Sequence, residues 1–120
     1  MNSADMKTWL AAQMCDCETK RDTLVREERM DEANFEKIRA NVFGIFDTVL
    51  DVAEKNMKGN GEAAERFFAS RLAQIPQSWY DALETAQKHG DETRAHDERI
   101  KIRAAEEIRE QFLHGTGENA

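Results

Sequence analysis

One proline in 120 residues is the feature that most restricts what this chain can fold into. With only six glycines besides, the sequence lacks the turns that an all-β chain needs about every 8 to 12 residues. Apolar residues instead recur at steps of three and four along most of the chain, which is the spacing of one helix face. The sequence therefore predicts an all-α fold, a small helical bundle of about four to five helices with one or two long helices.

The apolar rows and the breakers between them place the predicted helices. The first row covers residues 3–17, where the Ser3 hydroxyl suits the N-cap position. Residues 58–61 carry two glycines and predict a loop, after which a new helix begins. Pro76 should end that helix, because the residue before a proline is pushed out of helical geometry, and Ser78 can cap the next one.

The last amphipathic row should end where Gly115 follows His114. Because the chain has apolar material for only one modest core and its two halves carry similar net charges, we expect residues 1–115 to form a single helical domain. Residues 116–120 should be a flexible C-terminal tail.

The stretch from residue 18 to residue 57 poses a geometric problem. It contains no proline and one glycine, and a continuous helix of this length would measure about 60 Å, whereas a compact domain of this size is about 35 Å across. In one solution, the chain breaks near residues 30–34 and again at residues 89–91, which gives a closed bundle. In the other, residues 18–57 and 77–113 are long helices whose polar halves project. The lack of a true breaker favours the long helices.

Projecting helices would leave apolar side chains uncovered, and this predicts self-association. Leu24, Val25 and Met30 lie in the polar half of the first long stretch, where only a partner could bury them. Phe43 lies at the edge of the wide apolar face of residues 35–57 and is a further candidate for contact with a partner. We therefore expect a homo-oligomer, with a dimer favoured, or contact with another protein.

The charge balance argues against two classes of partner. The net charge is −7, which repels phosphate unless one face is locally basic. The one basic run is interleaved with carboxylates that neutralise it, so no nucleic-acid partner is predicted; it consists of Arg94, Arg99, Lys101, Arg103 and Arg109. The longest apolar stretch, residues 42–46, falls far short of the roughly twenty residues that span a bilayer, so no membrane partner is predicted either.

Residue types that carry chemistry are scarce. None of the three histidines completes the Glu-x-x-His motif of a di-metal bundle, and the chain lacks the further soft ligands that would make Cys15 and Cys17 a zinc site. We interpret Cys17 as a thiol on the core face and Cys15 as one outside it, both reduced. No serine lies in a nucleophile elbow. The sequence therefore predicts no catalytic residue, no metal and no cofactor.

The absence of a secretory signal and the free thiols predict a cytoplasmic location. The function that fits best is a non-enzymatic bundle that acts through protein–protein interaction or self-association. An alternative is a small-molecule-binding module with an aromatic pocket of Trp9, Phe46, Phe68 and Trp79. A third hypothesis, an enzyme or metal protein built around His96 or the cysteine pair, has less support.

Overall fold

The computed structural model describes residues 2–114, and these residues form helices without any strand. The helices are α1 (Ser3–Arg26), α2 (Met30–Asn56), α3 (Gly61–Gln74), α4 (Gln77–Lys88) and α5 (Glu92–His114). Because α3 and α4 are two pieces of one bent helix, the architecture is a four-helix bundle, and the prediction of a small all-α bundle is confirmed. The predicted cap at Gly115 and the predicted tail at 116–120 lie outside the described residues.

α1 begins one residue earlier than predicted and ends well beyond residue 17. Asn2, not Ser3, is the N-cap, and its side-chain oxygen accepts a hydrogen bond from the Asp5 N–H at 2.9 Å. Met6, Leu10 and Cys17 are buried along one face. The helix then runs on to Arg26 through a largely polar stretch that includes the good helix formers Glu18, Lys20 and Arg21.

The predicted long helix over residues 18–57 is wrong, because the chain turns at residues 27–29. Glu28 takes a left-handed backbone conformation with φ of 60°. Its N–H donates to the Val25 carbonyl at 3.0 Å, and the Arg29 N–H donates to the Leu24 carbonyl at 2.8 Å. This pair of bonds defines a Schellman helix end, which normally carries glycine at the left-handed position.

The second turn falls at Gly90, where the alternative arrangement placed it. Gly90 has φ of 69°, and the Asp91 N–H donates to the Ala86 carbonyl at 2.9 Å. The Asp91 side chain then accepts from the Arg94 N–H at 3.0 Å and caps α5. The two turns give a closed bundle of 46 × 35 × 28 Å, which could not contain a helix of about 60 Å.

α2 is the central helix of the bundle and packs against α1, α3 and α5. Its wide apolar face was predicted, and it supplies more of the fully buried large side chains than any other helix among the described residues. Those contributed by α2 are Val42, Phe43, Phe46 and Leu50. On the α1 side, Lys7 Nζ lies 2.9 Å from Asp47 Oδ1 and 2.5 Å from Asp51 Oδ1. Desolvation opposes the charge on Lys7, but the carboxylates of Asp51 and Asp47 together raise its pKa.

Pro76 bends the third helix rather than ending it. Ile75 keeps helical backbone angles (φ −57°, ψ −42°) although a proline follows. The prediction that the residue before Pro76 leaves helical geometry is therefore wrong. The bend has a consequence for packing, because α3 lies against α2 whereas α4 lies against α5. No helix among the described residues combines the length and the apolar composition that crossing a bilayer requires.

Candidate functional site

A groove of about 330 Å³ runs between α2 and α5, and we call it the arginine groove. Short turns connect α2 to α3 and α4 to α5, so each of these pairs is antiparallel. Because α3 and α4 are two pieces of one bent helix, α2 and α5 run in the same direction. No residue of α3 or α4 covers the groove. It is lined by Phe35, Arg39, His96, Arg99, Ile100 and Arg103.

Arg39 is fixed at the inner side of the arginine groove. Its Nη1 donates to Glu107 Oε2 at 2.9 Å, which joins α2 to α5, and its guanidinium carbon lies 5.4 Å from the centroid of the Phe43 ring. Desolvation opposes the charged form, yet Glu107 first, then Cys17 and Glu36, raise the pKa of Arg39. Its charge is therefore balanced within the chain.

Arg99 and Arg103 differ from Arg39, because both are exposed and neither has a charged partner among residues 2–114. Elsewhere on the surface, Lys20 and Lys88 each pair with a carboxylate one helical turn away. Two guanidinium groups that stand four residues apart on one helix face, beside the apolar Ile100, can hold an anionic group with bidentate hydrogen bonds.

A second groove of about 330 Å³ adjoins the first, and we call it the acidic groove. It lies toward the N-terminal ends of α2 and α5 and is lined by Asp31, Asn34, Phe35, Glu92, Thr93, His96 and Asp97. Phe35 and His96 belong to both grooves, and their rings meet edge to face with centroids 4.5 Å apart. None of the three carboxylates in this groove forms an ion pair within the described residues.

Beneath the arginine groove, a polar cluster links α1 to α2. Cys17 is 1% exposed, and burial raises the pKa of its thiol while the nearby Arg39 guanidinium opposes that rise. Glu36 Oε1 is buried without a hydrogen bond, and its nearest cation is Arg39 Nε at 3.6 Å, too far for one. The interpretation of Cys17 as a core thiol and of Cys15 as an exposed one is confirmed.

The structure separates the four residues that were predicted to contact a partner. Val25 is 43% exposed and Met30 59% exposed, on either side of the turn at residues 27–29, while Leu24 is half-buried. Phe43 has no exposed surface. Its predicted place at a free edge is wrong, because its ring packs edge to face against Trp9 at 5.8 Å and lies under Arg39.

The basic run near the C-terminus is divided among different faces of α5. Lys101 Nζ and Arg94 Nε lie 2.9 Å and 3.5 Å from Glu98 Oε2, and Glu98 is the one charged residue buried among those described. Arg109 lines a separate groove against α3 and α4. Of this run, only Arg99 and Arg103 line the arginine groove. The predicted neutralisation of the run therefore holds for Arg94 and Lys101, whose partner is Glu98, and not for these two arginines.

The aromatic residues predicted to line a pocket lie in or against the hydrophobic core. Phe46 and Phe68 have no exposed surface, and their rings stand 6.1 Å apart, edge to face. Trp9 and Trp79 are partly buried against the same core. None of these four side chains lines the arginine groove or the acidic groove. Within residues 2–114, no three residues that could ligate a metal ion lie together.

Sequence reasoning missed the two grooves, although one signal pointed to the first. His96, Ile100 and Arg103 stand at steps of four and three, so they share a helix face with Arg99 at its margin. Reading the charges by helix face would have separated these arginines from Glu98. Phe35 gives no such signal, because its spacing is that of a core residue. Compared with protein-family models, curated proteins and solved structures, the chain matches none.

Proposed function

We propose that this protein is a non-enzymatic helical bundle that acts by binding a protein surface through the arginine groove. The observation that carries the proposal is the pair Arg99 and Arg103, exposed and without a charged partner in the described chain, in a protein of net charge −7. They flank Phe35 and Ile100, which supply apolar contact area in the same groove.

The composition of the groove supports binding rather than catalysis. Arginine and aromatic side chains are enriched among the residues that contribute most to protein–protein affinity. A guanidinium stays protonated at any pH that a cell reaches, so it binds anions well and serves poorly as a general acid or base. His96, Arg99 and Arg103 in the lining are exposed, so the groove is accessible to a partner.

Two further expectations belong to this proposal. A cytoplasmic location is supported by the free thiols of Cys15 and Cys17, which persist in a reducing compartment. The absence of a nucleic-acid partner remains a prediction, supported by the overall acidity and by the three carboxylates that lie next to the groove.

Site-specific photo-crosslinking tests whether the groove contacts a protein. A photoreactive side chain at Ile100 should give protein adducts in living cells, whereas the same group at Ile45 should give few. Ile45 is a suitable control because it is an isoleucine 40% exposed that lines neither groove. The double substitution Arg99→Glu/Arg103→Glu should abolish the adducts at position 100. Equal adduct yields at positions 100 and 45 would contradict the proposal.

A second candidate function is the binding of a small anion with an apolar body. The groove volume of about 330 Å³ lies at the lower end of the range for ligand pockets. Benzoate and phenyl phosphate serve as probes. This function predicts that they raise the thermal unfolding temperature of the wild type and leave that of Arg99→Glu/Arg103→Glu unchanged. No rise in the wild type would argue against it.

A further inference from the structure

We propose that the arginine groove and the acidic groove together form a two-fold interface between two copies of this chain. The inference rests on the proposed function and names its partner as a second copy. In this arrangement, the arginine groove of each copy covers the acidic groove of the other.

The first argument is the separation of charge along one edge of the bundle. Arg99 and Arg103 lie in one groove, and Asp31, Glu92 and Asp97 lie in the other. None of the five forms an ion pair within residues 2–114. The edge therefore presents unpaired charges of opposite sign in two adjacent patches, which is the pattern that charge complementarity between proteins requires.

The second argument is geometric. Phe35 and His96 line both grooves, so they mark the boundary between the two patches. Along α5, Asp97 and Arg103 are separated by about 9 Å of helix. A two-fold axis that passes through the Phe35–His96 pair brings the arginines of one copy onto the carboxylates of the other. The same axis brings the carboxylates of the first copy onto the arginines of the second, so every contact occurs twice. The edge is self-complementary about this axis.

The third argument chooses the second copy over other occupants. An acidic peptide or a small anion could use Arg99 and Arg103, but it would leave Asp31 and Glu92 unpaired and facing it. A second copy satisfies both patches at once. Because each copy has a net charge of −7, two copies repel at long range, and only local matching of opposite charges within about one Debye length of 8 Å can offset that repulsion.

Charge-swap variants test this symmetry directly. One variant is Arg99→Glu/Arg103→Glu and the other is Asp31→Lys/Glu92→Lys; all four positions are exposed. In either variant alone, the two patches that meet carry the same sign, so we expect the dissociation constant of the dimer to rise at least about tenfold. In an equimolar mixture, the introduced Glu side chains of the first variant face the introduced Lys side chains of the second. The unchanged acids of the first variant face the unchanged arginines of the second. The mixture should therefore dimerise nearly as well as the wild type.

Matched controls carry the same changes in net charge on other helices. Arg66→Glu/Lys88→Glu and Glu62→Lys/Glu84→Lys change exposed residues of α3 and α4 that line neither groove. We expect both controls to dimerise as the wild type does. Sedimentation velocity and native mass spectrometry measure the species, and thermal unfolding shows that each variant is folded.

Three outcomes would overturn the inference: a wild type that stays monomeric up to about 1 mM, a dimer unaffected by either swap, or a mixture that fails to restore dimerisation. These outcomes are distinct from failure of the proposed function. If residue 100 crosslinks to another protein and not to a second copy, the proposed function stands and the two-fold interface is wrong. If residue 100 gives no protein adduct, both are wrong.

Discussion

Glu28 and Gly90 occupy equivalent positions at the ends of α1 and α4, and both take a left-handed backbone conformation, with φ of 60° and 69°. Each is the residue after the helix C-cap, and each turn is closed by the same two backbone hydrogen bonds. Glycine takes this conformation without a steric penalty, whereas a residue with a Cβ takes it at a steric cost. The turn between α1 and α2 therefore stores strain that the turn between α4 and α5 lacks.

Glu28→Gly should stabilise the protein. We expect the free energy of unfolding to rise by about 1 kcal/mol, because glycine removes the clash of Cβ with the backbone. The greater freedom of glycine in the unfolded chain offsets only part of this gain. Urea denaturation followed by circular dichroism measures the change. Glu27→Gly is the control, since Glu27 has a negative φ of −87° and should give no gain. A Glu28→Gly protein no more stable than the wild type would show that the strain is absent.

Gly90→Ala should have the opposite effect. A Cβ at this position meets no atom within 4 Å, so the cost comes from the backbone alone and should be about 1 kcal/mol. Thermal unfolding should show a lower midpoint for the variant. Gly61→Ala provides the comparison, because a Cβ there is equally unobstructed and Gly61 does not have a positive φ. If both variants behaved alike, the left-handed conformation of Gly90 would carry no penalty.

Gly44 is the one glycine inside a long described helix, and Gly44→Ala should stabilise α2. Glycine costs about 1 kcal/mol relative to alanine in a helix interior. The only atom that a Cβ would meet is Met14 Sδ at 3.8 Å, which is ordinary contact. We expect a gain of about 0.5 to 1 kcal/mol by urea denaturation. A loss instead would mean that α1 and α2 pack too closely at this point for one added methyl group.

Particular residues show which parts of the fold the sequence could predict. The turn at Gly90 was foreseeable, because glycine followed by an Asp N-cap is a local signal of a helix end and a helix start. The turn at Glu28 was foreseeable only roughly, since the closed-bundle alternative placed a break near residues 30–34. Its exact position was not, because residues 27–29 are good helix formers and carry no local signal of a helix end. Phe43 shows the same limit: periodicity placed it at the edge of a face, and only the position of α1 decides that the edge is covered by Trp9.

The candidate site was harder to predict, since it depends on how two helices are placed. Arg99 and Arg103 lie in a sequence rich in carboxylates, and linear proximity indicated neutralisation. On the helix, Glu98 points inward and pairs with Lys101 and Arg94, so it is unavailable to its sequence neighbour Arg99. The contribution of α2 to the groove comes through Phe35 and Arg39, which requires the parallel packing of α2 and α5.

The buried thiol of Cys17 should make stability depend on alkaline pH. Because burial raises the pKa of Cys17 above its ordinary value of 9.0, the folded state keeps the thiol neutral at a pH where the unfolded state ionises. The stability is therefore fully present below pH 9.0 and falls as the pH rises from there through the folded pKa. We expect urea denaturation to show a decline above about pH 9 that is smaller in Cys17→Ala.

Cys15→Ala is the control and should keep the wild-type decline. Cys17→Ala should also cost about 1 kcal/mol at neutral pH, through lost packing. A thiol reagent should modify Cys15 in the native protein and reach Cys17 only after unfolding. An identical pH dependence in wild type and Cys17→Ala would show that another group causes the decline.

Arg39→Met should destabilise the junction of α1, α2 and α5. The substitution removes the hydrogen bond to Glu107 at 2.9 Å and the contact with the Phe43 ring, and it leaves the buried Glu36 Oε1 without its nearest cation. Because the Glu107 side chain is 42% exposed, solvent screens part of the loss, and we expect about 1–2 kcal/mol by urea denaturation. Adding Glu36→Gln to Arg39→Met should recover part of that loss, since it removes the uncompensated charge. Additive effects of the two substitutions would show that Arg39 stabilises the fold through packing of its side chain and not through its charge.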